Sequence, residues 1–124
     1  MIAKYWLVLG AAIAAVAVAA GALGAHLLEK RLDEHQLKSF ETAVRYQMFH
    51  AMALVLVGIL ADQQPVGRWA WPGGLFVAGI ALFSGGIYAW LATGIRPLVH
   101  VVPVGGVCLI LGWIALAVAA ALKR

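Results

Sequence analysis

Charge is scarce in this chain. Nine Lys and Arg and five Asp and Glu make up 11% of 124 residues, against 65% hydrophobic ones. A soluble domain of this length is excluded, because its interior is too small to hide that much apolar side chain. Cysteine is nearly absent as well. Cys108 stands alone, so no intrachain disulfide is possible, and its place in an apolar run marks a small buried residue. The short alternating strands of a membrane barrel are missing. So are a phosphate-binding loop, a nucleophile elbow and a Cys–His pair at any recognised spacing. No two of the histidines (His26, His35, His50 and His100) stand three or four apart. They therefore form no helical metal pair. Only His50 lies well inside an apolar run, which leaves no opposed pair for a haem. No metal and no cofactor is expected. The net charge of +4 does not point to nucleic acid, because the basic residues lie mostly at the ends of apolar runs, where they meet lipid headgroups.

What the chain has is long apolar runs: Tyr5–Ala25, Ala43–Ala61, Trp69–Leu91 and Leu98–Leu122. A spanning helix needs roughly 20 apolar residues at ~1.5 Å rise each. Only helices satisfy every backbone polar group within such segments. The expected fold is therefore all-α: a four-helix transmembrane bundle, forming one integral membrane domain over residues 1–124. Its spans are expected at about 5–25, 43–61, 69–91 and 98–122. Lys4 and the small residues "AVA" at 17–19 resemble a secretory signal, but the run exceeds the ~7–15 residues of a signal core. It is read as a retained span.

The connections are short except for Leu27–Thr42, which holds four of the five acids: Glu29, Asp33, Glu34 and Glu41. Asp33 followed by Gln36 has the form of a capping box. Leu37, Phe40, Val44 and Met48 then recur at helical steps. One helix is predicted from about Glu34 to Ala61, its first turns an amphipathic interfacial segment before the second span. Small residues supply the packing faces, since lipid gives no hydrophobic drive for helix association. The expected faces are Ala11, Ala15 and Ala19 with Gly21 and Gly24 in the first span, and Ala81, Gly85 and Ala89 in the third. Gly105, Gly106 and Gly112 are expected to serve in the fourth.

Four spans put both termini at one pole. That pole receives Lys4, Asp62, Arg68, Lys123 and Arg124, with Tyr5, Trp6, Trp69 and Trp71 as an interfacial belt. The opposite pole receives His26, Glu41, Arg45, Tyr46, Gln47, His50, Ser84 and His100, with Tyr88 close by. These eight are the candidate polar site. Polar groups inside membrane helices face the interior and pair there. They act either as interhelical hydrogen-bonding groups or as a site for a ligand or proton. His50 is expected to face the bundle beside Tyr46 and Gln47, with His26 as its partner.

Four stretches also carry a resemblance. "GALGAHLL" at 21–28, "ETAVRYQMFHAMAL" at 41–54, "FSGGIYAWLATG" at 83–94 and "VPVGGVCLILGW" at 102–113 resemble the transmembrane protein 256-like family. Its members include small bacterial inner-membrane proteins of unknown function. Leu27, Gly86 and Val102 depart from the family's frequent Gly, Ser and Thr. The resemblance implies a multi-pass protein of the plasma (inner) membrane. It singles out His26, Glu41, Tyr46, Gln47, His50 and Ser84, and it brings no reaction. The expected role is non-enzymatic, as an accessory or structural component of a membrane assembly. Its partners would be the lipid bilayer and a homo-oligomer or larger complex. The alternative is a small oligomeric transporter or channel, for which Glu41 is the only acid near a polar cavity.

Overall fold

The computed structural model describes residues 2–65 and 67–122. Its four long helices are α1 (Ile2–Leu28), α2 (Glu34–Gln63), α3 (Gly67–Thr93) and α4 (Arg96–Ala121), each long and apolar enough to cross a membrane. No strand occurs among the described residues. Val66, Lys123 and Arg124 lie outside them, so the basic anchors expected at the C-terminus have no structural account.

The helix ends follow from local chemistry. Asp33 accepts from the Gln36 backbone N–H at 2.8 Å, and the Gln36 side chain accepts from the Asp33 N–H at 3.1 Å. This reciprocal pair satisfies donors that a helix start leaves open, so α2 begins at Glu34 and runs on unbroken to Gln63. At the other end of α2, the Trp69 indole N–H donates to the Gln64 carbonyl at 2.9 Å and closes the turn. Trp69 is therefore buried instead of joining an interfacial belt, and Trp6 is turned inward against Gly73. Tyr5 and Trp71 keep the exposed position. Gly94 ends α3 with φ of 71°, a left-handed conformation that glycine adopts without steric cost. The α1 helix contains one wide π turn at Ala20–Gly24. There Gly24 lies against the Phe40 ring and Gly21 against Val44.

Packing is serial: α1 on α2, α2 on α3 and α3 on α4. The buried positions of α2 centre on Phe40, Ala43, Gln47, His50, Leu54, Val57 and Ala61, with Ala51, Ala53 and Gly58 buried beside that line. The steps along the line alternate between three and four, the period of left-handed helix pairs. The α4 helix buries Gly105, Leu109, Gly112, Leu116 and Ala119 in the same rhythm, and α1 buries Ala3, Gly10 and Ala17 at steps of seven. The expected ladder Ala11, Ala15 and Ala19 is exposed instead, as is Ala81, and a methyl at Gly85 would meet no neighbouring helix. A step of four drifts around a helix by about a ninth of a turn each time. Such a ladder leaves a seam that follows steps of three and four.

Close approach is concentrated at a few glycines. A methyl group at Gly10 would lie 2.7 Å from the Ala51 carbonyl oxygen, and one at Gly58 would lie 2.8 Å from the Leu7 nitrogen. These two seat α1 on α2, backbone to backbone. Gly79 meets Leu109, Gly105 meets the Leu82–Phe83 backbone and Gly112 meets the Phe76 ring, which together seat α4 on α3. Gly106 makes only ordinary contact with the Phe83 ring, at 3.7 Å. Cys108 is half-buried.

Candidate functional site

The seam of α2 brings three polar residues inside. Gln47 is 4% exposed, His50 6%, and Ser84 across from them on α3 1%. Burial in a lipid-embedded bundle leaves a polar group only protein partners, and each has them. Ser84 Oγ donates to the Ala43 carbonyl at 2.7 Å. The Gln47 amide nitrogen donates to the Ile13 carbonyl on α1 at 3.0 Å, while its oxygen accepts from the Tyr88 hydroxyl on α3 at 2.7 Å. One side chain thus ties three helices together.

His50 faces the other flank of α2. Its Nδ1 lies 2.6 Å from the Tyr46 carbonyl, and its Nε2 lies 3.0 Å from the Trp113 indole nitrogen on α4. A carbonyl only accepts and an indole N–H only donates. The network therefore assigns the neutral ring with the proton on Nδ1, and both nitrogens are engaged. The ring is enclosed by aromatics. Phe76 and Trp113 each lie 5.8 Å away, Tyr46 stacks at 6.0 Å, and Phe76 meets Trp113 edge-on at 5.0 Å. Tyr46 sits at the rim, with its ring stacked on Phe83 at 4.6 Å.

The other expected members are not brought into this cluster. His26 and His100 are exposed near the helix ends, and His50 takes Trp113 as its partner in place of His26. The reason is depth: α1 ends at Leu28, so His26 stays at the pole while His50 is several turns inside. Glu41 and Arg45 are exposed on α2, on the flank away from Gln47. Trp113 and Tyr88 are the partners that the candidate set lacked. Trp113 had a legible signal. An indole N–H eight residues inside the last helix, about 12 Å from its end, needs an acceptor that lipid does not offer.

Among the described residues no group of three or more His, Cys, Asp or Glu could hold a metal ion. Apolar recesses flank the polar seam. One of about 390 Å³ lies over the π turn of α1, between Val16, Gly24, Phe40 and Tyr88. A larger groove of about 740 Å³ runs along α2 beside Trp113, from Arg45 past Phe49 and Met52 to Leu56.

The chain has known relatives. A family described as "Protein of unknown function (DUF423)" matches residues 20–106. The chain belongs to the DUF423 family. Relatives that cover nearly the whole chain bear the name UPF0382 membrane protein. One from Staphylococcus aureus is 40% identical over 116 residues, which is 94% of this chain and 94% of the relative. YwdK of Bacillus subtilis is 42% identical over 118 residues, 94% of this chain and 96% of the relative. One from Staphylococcus epidermidis is 38% identical over 116 residues, again 94% of each. No solved structure matches the chain significantly. Together with four apolar helices of spanning length, these relatives identify this DUF423 protein as a multi-pass membrane protein.

The His50–Trp113 contact makes a measurable expectation. In His50→Gln the amide oxygen can still accept from the indole, so the fold should survive with a loss of about 1 kcal/mol or less. In His50→Leu the indole N–H is stranded, at a cost of about 1–3 kcal/mol. Thermal unfolding in detergent reads both. Equal losses would rule out the hydrogen bond as the source of the effect.

Proposed function

We propose that this DUF423 protein is a non-enzymatic accessory or structural component of an assembly in the plasma (inner) membrane, similar to the transmembrane protein 256-like proteins. One observation carries this reading. Gln47, His50, Ser84 and Tyr88 each hydrogen-bond to another helix of the same bundle, and the remaining His50 nitrogen is held by its own helix. Such groups fix register between helices, each bond contributing on average about 0.6 kcal/mol. The ladder Ala11, Ala15 and Ala19 adds support. It is exposed on α1, and small residues at this spacing let a second helix approach closely. A homo-oligomer or a larger complex would use that face.

The transporter reading has less behind it. Its only coupling acid, Glu41, is exposed near the start of α2, and Gln47, His50, Ser84 and Tyr88 already have partners. Purification in mild detergent with in-membrane cross-linking tests the proposal. A self-associated or larger species is expected, and Ala15→Leu should shift it toward the monomer about tenfold or more by blocking close approach. A stable monomer in membranes, with Ala15→Leu indistinguishable from wild type, would end this reading.

A further inference from the structure

The outer flank of α2 carries an ordered series of exposed residues. Glu41 and Arg45 come first, one turn apart, and Phe49, Met52, Leu56 and Ile59 continue the line toward the opposite pole. The steps between them are four, four, three, four and three, so all six lie on one face of the helix. Phe49 is 57% exposed and Met52 61%. Beside this line the Trp113 ring forms a wall, and the groove of about 740 Å³ lies between them. Arg45 is at its upper end. Neither Arg45 nor Glu41 takes part in an ion pair or hydrogen bond among the described residues.

Depth places the charges. About 20 residues of helix span the hydrocarbon. Counting back from the end of α2 at Gln63 brings the boundary to about Ala43. Arg45 is then just inside the boundary, where a long side chain reaches out to phosphate level. Glu41 lies about 6 Å further out. The order inward from the pole is thus anion, cation, apolar groove.

We propose that this face is a binding site for one phospholipid with a primary ammonium headgroup, a phosphatidylethanolamine. Arg45 donates a forked pair of hydrogen bonds to the phosphate. Glu41 accepts from the ammonium, which is the outermost charge of that lipid. One acyl chain lies in the groove along Phe49, Met52 and Leu56, against Trp113. The span from Arg45 to Leu56 is about 16 Å, comparable to a single leaflet's share of a ~30 Å hydrocarbon core. Headgroup chemistry gives the selectivity. A trimethylammonium has no N–H for Glu41, and a glycerol headgroup has no positive charge for it. Lys38 lies on the same face a further turn out, beyond the ammonium, and takes no part. The site is independent of any assembly role, since it uses a different helix from the exposed alanine ladder.

Native mass spectrometry of the full-length protein tests this. The protein is offered equimolar phosphatidylethanolamine, phosphatidylglycerol and phosphatidylcholine of identical chains in a non-ionic detergent. A single adduct is expected, with phosphatidylethanolamine favoured over the other two. Arg45→Gln should weaken that adduct about tenfold. Glu41→Gln should leave the phosphate contact and abolish the preference over phosphatidylglycerol. Lys38→Gln and Arg96→Gln, exposed cations at the same pole, should change neither. These are surface positions on a long helix, and an unchanged melting temperature checks that each variant is folded. Should Arg45→Gln unfold, Glu41→Gln decides the matter alone. Equal retention of the three lipids by wild type, an unaltered adduct in folded Arg45→Gln, or a second copy of the chain on this face in place of lipid would each overturn the proposal.

Discussion

Replacing Gly105 by alanine is expected to push α3 and α4 apart and to destabilise the bundle by about 1–3 kcal/mol, the usual range for overpacking. The added methyl would lie 2.7 Å from the Leu82 carbonyl carbon and 2.8 Å from the Phe83 Cα. Both are backbone atoms of a helix interior, which cannot rotate out of the way as a side-chain end can. Gly106→Ala is the matched control. Its methyl meets only the Phe83 ring, 3.7 Å away, an ordinary contact that leaves the change within about 0.5 kcal/mol. Gly85→Ala goes further, because a methyl there would meet only the Ile80 carbonyl oxygen, at an ordinary 3.8 Å. There the better helix propensity of alanine should stabilise by up to about 1 kcal/mol. Unfolding in mixed detergent micelles gives the three values on one scale. If Gly105→Ala unfolds together with Gly106→Ala, backbone contact is not what seats α4 on α3.

The second large effect is expected at Gln47. Leucine there removes the bond to the Ile13 carbonyl on α1 and the bond from Tyr88 on α3. It also strands the Tyr88 hydroxyl, which now has no acceptor within the bundle. The expected loss is about 1–3 kcal/mol. Tyr88→Phe alone strands only the Gln47 oxygen and should cost less, about 1 kcal/mol. Since the two changes remove one shared bond, the double variant should fall short of the summed losses by about 0.5 kcal/mol or more. Strict additivity would mean that the two side chains do not interact in the membrane. Ser84→Ala, on the next polar contact toward the pole, should follow the membrane average of about 0.6 kcal/mol.

The helices and the start of α2 were legible in the sequence, and the packing faces mostly were not. In a soluble helix the buried face is the apolar one, so periodicity reveals it. Here lipid is as apolar as the bundle interior. Alanine and glycine occur on every side of α1 and α3, so Ala11, Ala15 and Ala19 looked like a seam and are not. The informative residues were the few polar ones. Gln47 and His50 are three apart and both face inward. Extending their line by alternating steps of four and three gives Phe40, Ala43, Leu54, Val57 and Ala61, all of them buried. No such marker exists in α4, whose described interior is apolar apart from the indole of Trp113. Its glycines are therefore the guide, and Gly105 and Gly106 look alike in sequence although only Gly105 meets a backbone. The charged residues were misleading for a different reason. Glu41 and Arg45 share a helix with Gln47 and His50, but sequence proximity says nothing about flank, and theirs points away from the seam.

The serial packing of the four helices bears on how the chain is made. Each helix packs on the one synthesised just before it, and most of the close glycine seats lie between neighbours in the chain: Gly10 and Gly58 for the first pair, Gly79 and Gly105 for the last. A ribosome feeding this chain into a membrane therefore gives each helix its main partner as soon as it emerges. The α1–α2 hairpin is complete before α3 emerges, and α3 then docks through Ser84 and Tyr88 onto acceptors already in place. Two contacts depart from this order: Trp6 of α1 waits for Gly73 of α3, and a second one closes the bundle. The bond from Trp113 to His50 joins residues 63 apart and must wait for the last helix, so it acts as the catch that closes a hinge already folded.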